Sequence, residues 1–126
     1  MNPQEYIDLA KVTETKDYKP VLERIDEKEV RLLHGAMGLA SEAGEFLSPI
    51  KAHIYYGREL DKTHLKEEIG DVMWYLAILC DELGIGFDEI WEANIAKLKA
   101  RYGEKFSEHM ANKRNLDKER EALENK

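Results

Sequence analysis

Glu42-Ala43-Gly44-Glu45 and Glu68-Ile69-Gly70-Asp71 are two acidic pairs with the same spacing, and the rest of the chain is arranged around them. Residues three apart on an α-helix project from one face, so each pair places two carboxylates side by side. Two such helices packed together would bring the four carboxylates into one place, where like charges repel unless a cation lies between them. An oxygen-only set without histidine suits Mg²⁺, with Mn²⁺ as a possible substitute. The spacing therefore predicts a metal site formed by Glu42, Glu45, Glu68 and Asp71.

The apolar residues that flank the two pairs predict an all-α protein. Around the first pair they recur at spacings of three, four and seven, and around the second pair they form a nearly continuous stripe. Gly35, Gly38 and Gly44 are costly inside a helix and indicate close approach of a neighbouring helix or of a ligand. Pro49 predicts a kink or an end of the first helix, because it removes the amide that would bond to the Glu45 carbonyl.

Capping residues and glycines predict where the helices begin and end. The predicted starts are Asn2, a position near Asp26, Asp61 or Thr63, and Asp88. The predicted ends are Gly84 and Gly103. Residues 18–20 are predicted to form a loop, because the residue before a proline avoids helical geometry.

The composition bounds the class of protein. The chain has 126 residues, of which 43% are hydrophobic and 36% charged, as in a single globular domain or one protomer of an oligomer. Its net charge of −7 argues against binding along a nucleic acid polymer, which needs a basic surface. The one cysteine, Cys80, excludes an internal disulfide framework. With no signal peptide pattern and no long apolar run, we expect a cytoplasmic protein with no membrane partner.

The histidines do not form the patterns that other metal sites require. A carboxylate-bridged di-iron site needs Glu-x-x-His on two helices. No glutamate stands three residues before any of the four histidines, His34, His53, His64 and His109. Paired histidine and cysteine ligands for zinc are missing as well. The remaining inference is a Mg²⁺-type site, whose usual partner is a substrate that carries phosphate.

The predicted helix that begins at Asp88 carries polar side chains that can donate hydrogen bonds to such a substrate. Asn94, Lys97 and Arg101 are spaced so that they share one side of this helix, and their side chains can donate to phosphate oxygens. Lys51 follows the predicted kink at Pro49. It either points toward the site or is an ordinary solvated lysine.

With these motifs, the sequence resembles the all-α nucleoside triphosphate pyrophosphohydrolases of the MazG-like group. The resemblance rests on Glu42-x-x-Glu45, on Glu67-Glu68-Ile69-Gly70-Asp71-Val72-Met73-Trp74-Tyr75, and on Lys97-Leu98-x-x-Arg101-Tyr102-Gly103-x-x-Phe106. It covers residues 30–106. We therefore divide the chain into a single helical domain at residues 1–110, with the motifs at 30–106, and a charged tail at 111–126.

The resemblance implies a protomer of four or five helices that is completed by assembly into a homodimer or homotetramer. It also implies cleavage of a nucleoside triphosphate to the monophosphate and pyrophosphate. We expect a standard or modified nucleotide as the substrate, with deoxynucleotides preferred. Transferred to this sequence, Glu42, Glu45, Glu68 and Asp71 would bind Mg²⁺ or Mn²⁺. The residues that would contact the substrate are Lys97 and Arg101 at the phosphates, with Asn94 and Tyr102 helping to position the nucleotide.

The general base is left open by one departure from this family. Several relatives have an additional glutamate beside the first motif, where this chain has Ser41 and Phe46. Three alternatives follow: Glu45 acting from the metal shell, Glu67, or a hydroxide held by the metal with no dedicated base.

Two other functions remain alternatives to the enzyme. The first is a nucleotide-binding regulatory module that keeps the metal pocket and has lost efficient catalysis. The second is a plain helical interaction protein whose carboxylates are solvated. Release of pyrophosphate and a metal-dependent thermal shift would separate the three.

Overall fold

The structure, a computed structural model, describes residues 1–124, and every regular element in this range is a helix. The seven helices are, in order, α1 (Pro3–Lys11), α2 (Lys19–Leu22), α3 (Glu27–Tyr56), α4 (Lys62–Leu83), α5 (Phe87–Tyr102), α6 (Glu108–Asn112) and α7 (Leu116–Glu124). Helices α2 and α6 are short, and the other five have nine residues or more. The predicted all-α class is confirmed.

The helices that carry the acidic pairs pack against each other along their length. Helices α3 and α4 form the most extensive contact in the described part of the chain, and α5 packs against α7 and α6. The close approach of α3 and α4 depends on two glycines: a Cβ at Gly38 would lie 2.1 Å from the Tyr75 ring, and one at Gly35 would lie 2.6 Å from Leu79. Gly44, by contrast, has open space around it. The expected close approach therefore holds for two of the three glycines.

The ends of α4 follow from its sequence. Asp61 is the N-cap, and its carboxylate accepts a hydrogen bond of 3.0 Å from the backbone N–H of His64. Gly84 ends the helix with φ +67°, a left-handed conformation that glycine adopts without a steric cost. The N-cap thus fixes the first turn of α4, which lies one turn before the second acidic pair.

Two local predictions were wrong, and one of two alternatives at a third position is excluded. The start of α5 is Gly86 rather than Asp88, which lies within the first turn, where a negative charge favours the helix. Residues 19–22 form the short helix α2, which begins with Pro20 in its first turn, a position that needs no amide hydrogen. Of the two alternatives at Pro49, a kink or an end of the helix, the end is excluded, because α3 continues to Tyr56 with the proline buried inside it.

The segment predicted as a charged tail is ordered where the structure describes it. Residues 116–124 form α7, which packs against α5 and buries Glu119. The physical reason is the pairing of Glu119 with Arg101 and Arg114, which a charged composition alone does not predict. Residues 125 and 126 lie outside the described residues, and the division at residue 110 stays a prediction.

The isolated chain leaves much apolar surface exposed. Its accessible area is 10600 Å², whereas a compact monomer of its mass would expose about 6,900 Å². Tyr6 and Leu9 on α1, Leu33 and Met37 on α3, and Trp91 on α5 are each more than half exposed. Within residues 1–124, one chain alone therefore lacks a closed core.

Candidate metal and nucleotide site

Three of the four predicted carboxylate ligands come together between α3 and α4. Glu42 on α3 and Glu68 and Asp71 on α4 each offer an oxygen atom, and these atoms all lie within 4.8 Å of one another. Glu68 is only 6% exposed, Glu42 is half-buried and Asp71 is exposed. The cluster is therefore closed on the Glu68 side and open to solvent on the Asp71 side.

The proximity of these acids changes the proton affinity of Glu42. The pKa of Glu42 is raised, chiefly because its protonated form can donate a hydrogen bond to Glu68, and further because of burial and the charges of Glu68, Asp71 and Glu45. A cation between the carboxylates would remove this repulsion. Because all the donors are carboxylate oxygens, the cluster fits a hard divalent cation such as Mg²⁺ or Mn²⁺.

Three other residues predicted to act at the site, Glu45, Glu67 and Lys51, are exposed. Glu45 is exposed on α3 and stands outside the three-carboxylate group, although its charge contributes to the raised pKa of Glu42. Glu67 is exposed beside Glu68 and projects from a different side of α4. Lys51 is exposed, with its ammonium 5.7 Å from the centre of the Tyr56 ring.

The predicted substrate contacts lie on α5, apart from the pair formed by α3 and α4. Asn94 is exposed, while Lys97 and Tyr102 are half-buried. Since α5 packs against α6 and α7, these side chains belong to a second helical group of the same chain. The sequence places them on one helix, but the fold of a single chain does not pack that helix onto the carboxylates.

Arg101 is held by a buried carboxylate. Its Nε and Nη2 donate to the two oxygens of Glu119 at 2.8 and 2.9 Å, and Arg114 donates to the same two oxygens at 3.2 and 2.7 Å. Glu119 is 3% exposed. Its pKa is held well below its usual range by these hydrogen bonds, first from Arg101 and then from Arg114. Part of the donor capacity of Arg101 is therefore used within the chain.

His64 is a residue of the site that the sequence reasoning missed. Its Nε2 lies 2.7 Å from Oε1 of Glu68, the most buried of the three clustered carboxylates. The signal was available, because residues four apart on a helix are neighbours. Di-iron sites have a histidine three residues after a glutamate, whereas this histidine stands four residues before one.

An apolar hollow adjoins the carboxylates. It has a volume of about 350 Å³ and is lined by Ala43, Phe46, Ile69, Val72 and Met73. Four of these residues are chain neighbours of the predicted ligands, so the same two helices present carboxylates on one side and apolar surface on the next. Such a combination suits a ligand with a charged end and a flat apolar part.

The fold and this cluster define an all-α protein with a candidate divalent-metal site on two packed helices. The sequence matches the MazG nucleotide pyrophosphohydrolase domain over residues 33–106, more than half of the chain. The protein belongs to this family. The predicted resemblance is confirmed.

A curated relative gives a further comparison. The chain is 34% identical over 77 residues to the Gene 37 protein of Mycobacterium phage L5, a match that spans 56% of this chain and 65% of the relative. The match thus covers less than two thirds of that protein. No solved structure matches the chain. Within residues 1–124, no helix is both long and apolar enough to cross a membrane.

Proposed function

We propose that this protein is a Mg²⁺-dependent nucleoside triphosphate pyrophosphohydrolase of the cytoplasm, with Mn²⁺ able to replace Mg²⁺. The observation that carries the proposal is the cluster of Glu42, Glu68 and Asp71, whose oxygens lie within 4.8 Å of one another in a chain of the MazG family. The substrate is a nucleoside triphosphate, standard or modified. The reaction would remove a surplus or non-standard nucleotide, including a deoxynucleotide, from the pool.

The proposed reaction breaks the bond between the α- and β-phosphates. The oxygen of a water molecule attacks the α-phosphorus, its proton passes to a base, and pyrophosphate leaves with the electron pair of the broken bond. Glu42, Glu68 and Asp71 would hold a divalent cation, which when bound would neutralise charge on the phosphate oxygens and on the leaving group. The carboxylates would fix the position of the cation, and the adjoining apolar hollow offers a surface for the nucleobase of the substrate.

We infer that Glu45 acts as the general base. It lies one turn from Glu42 on α3 and is close enough for its charge to raise the pKa of Glu42. It also stands outside the group of three carboxylates that would hold the cation. Glu67 stays an alternative, since it neighbours Glu68 but projects from another side of α4.

The phosphate contacts would come from a second copy of the chain. Helix α5, which carries Asn94, Lys97, Arg101 and Tyr102, packs against α6 and α7 rather than onto the carboxylates. The accessible area of 10600 Å² also exceeds the value of about 6,900 Å² for a compact monomer. Assembly into a homodimer or homotetramer would bury this surface and bring one copy's α5 to the other's carboxylates. Arg101 would then contribute the part of its guanidinium that Glu119 leaves free, and Lys51 would contribute from α3.

Pyrophosphate release from a panel of standard and modified nucleoside triphosphates tests the reaction. Release that requires Mg²⁺ and stops with a chelator supports the proposal and identifies the preferred nucleobase. No release from any member of the panel would contradict it and favour the regulatory module.

Mixing two inactive variants tests the shared site. Asp71→Asn removes a carboxylate ligand and Lys97→Ala removes a phosphate contact. If α5 serves the site of another copy, unfolding and refolding the two variants together restores part of the activity, because some assemblies then contain one intact site. Equal inactivity of the mixture, or a mass of 14.6 kDa by light scattering, would contradict assembly of the site from two chains.

A further inference from the structure

The buried member of the carboxylate cluster has one partner outside the cluster. Glu68 is 6% exposed, and burying a carboxylate is costly unless its oxygens find hydrogen-bond donors. Nε2 of His64 lies 2.7 Å from Oε1 of Glu68, within the range of a strong hydrogen bond to an ionised group. With its proton on Nε2, His64 donates to this oxygen and leaves the other oxygen of Glu68 for a ligand.

His64 is itself held in place by the start of α4. Its backbone N–H donates to the Asp61 cap at 3.0 Å, so its position is fixed by the first turn of the helix. Glu68 stands four residues later on α4, so it lies on the same face of the helix as His64. The imidazole is partly exposed and also lines a cavity of about 330 Å³ beside Pro49 and Arg58. A side chain of another shape therefore has room at this position.

We propose that His64 is a positioning residue, which orients the Glu68 carboxylate for the metal by donating a hydrogen bond to Oε1. This inference rests on the proposed function, because it takes Glu68 as a metal ligand. Groups that hydrogen-bond to metal ligands fix the ligand's orientation, and their loss typically weakens metal binding about 10- to 100-fold. Asp71 is exposed and more open to solvent, so Glu68 is the ligand whose orientation depends most on a protein partner.

Binding of Mn²⁺ alone, in the absence of nucleotide, tests this role. The metal-free protein is titrated with Mn²⁺, and electron paramagnetic resonance distinguishes free from bound Mn²⁺. The titration gives an affinity that does not depend on turnover. We expect His64→Ala to weaken Mn²⁺ binding about 10- to 100-fold. His64→Gln, whose amide can donate to the same oxygen, should stay close to the unsubstituted protein. His109→Ala, which removes an exposed histidine on α6, is the matched control and should change nothing.

Two results would overturn the role of His64. Equal Mn²⁺ affinity of His64→Ala and the unsubstituted protein would show that Glu68 needs no partner. Equal weakening in His64→Ala and His64→Gln would show that the ring matters for packing rather than for its hydrogen bond. If instead the unsubstituted protein binds no Mn²⁺, the metal site and the proposed function fail as well, so failure of the narrower inference is recognisable.

Activity gives a second readout. If His64 positions Glu68, the loss of activity in His64→Ala should be recovered in part at high Mn²⁺, because mass action restores metal occupancy. The KM for the nucleotide at saturating metal should change little. A loss of activity that saturating metal does not reduce would contradict a positioning role.

Discussion

Arg101 and Glu119 are 18 residues apart in the chain and are joined by two hydrogen bonds, of 2.8 and 2.9 Å. With Arg114 on the same two oxygens, they attach α7 to α5. These contacts hold residues 116–124 against α5. The same contact places a carboxylate on an arginine that the sequence assigns to phosphate binding.

Replacing Glu119 should loosen α7. Glu119→Gln keeps the shape of the side chain but removes the charge that pairs with Arg101 and Arg114, leaving both guanidiniums without their buried partner. We expect a lower melting temperature and faster proteolysis between α6 and α7. Glu121→Gln, an exposed acid on the same helix, is the control and should behave like the unsubstituted protein. Equal melting temperatures for all three proteins would contradict this role of Glu119.

The contribution of Glu119 to the stability of the folded protein should fall on strong acidification. Its pKa in the folded state is held below the ordinary value of 4.5 by the two arginines. The stabilisation is therefore fully present at pH values above 4.5 and is lost only as the pH falls through the lowered folded-state pKa. The difference in melting temperature between Glu119→Gln and the unsubstituted protein should stay constant near neutral pH and shrink on strong acidification. A difference that grows on acidification would contradict this linkage.

Replacing a glycine of α3 by alanine should destabilise the protein at Gly38 and be tolerated at Gly44. Gly38→Ala places a methyl group 2.1 Å from the Tyr75 ring, and such overpacking typically costs about 1–3 kcal/mol of unfolding free energy. Gly44→Ala meets nothing within 4 Å and should be neutral or stabilise by up to about 1 kcal/mol. Urea denaturation measures both. Similar effects of the two substitutions would show that the helices do not approach at Gly38.

Neutralising one carboxylate of the cluster should stabilise the metal-free protein. The raised pKa of Glu42 means that stability from this group is present at low pH and is lost as the pH rises through its folded-state pKa. Glu42→Gln should therefore raise the melting temperature in chelator at neutral pH and reduce the stabilisation by Mg²⁺. A variant that melts lower in chelator and keeps the full Mg²⁺ effect would contradict a shared cation at these carboxylates.

Local signals in the sequence predicted much of the frame. The cap at Asp61, the left-handed glycine at Gly84 and the acidic pairs were readable because each depends on neighbours within a few residues. The close approach at Gly38 was also predictable, since a glycine in a helix interior needs a compensating reason.

The rest depended on contacts that spacing alone does not determine. Many acids follow residue 110, and only the packing of α7 on α5 selects Glu119 as the partner of two arginines. Whether α5 reaches the carboxylates likewise depends on how the helices pack, within one chain or between two. Pro49 shows the opposite case: it lies buried inside α3, which continues to Tyr56 although proline locally favours a kink or an end of a helix.

The central claim is that the carboxylates between α3 and α4 hold the cation for nucleotide cleavage. Pyrophosphate release by Asp71→Asn, at saturating Mg²⁺ and with the preferred nucleotide, tests it most directly, with Glu121→Gln as the control. Since a catalytic cation stabilises the transition state by several kcal/mol, we expect Asp71→Asn to lose activity by about a hundredfold or more, with an unchanged helical spectrum. Full activity of Asp71→Asn would contradict the claim.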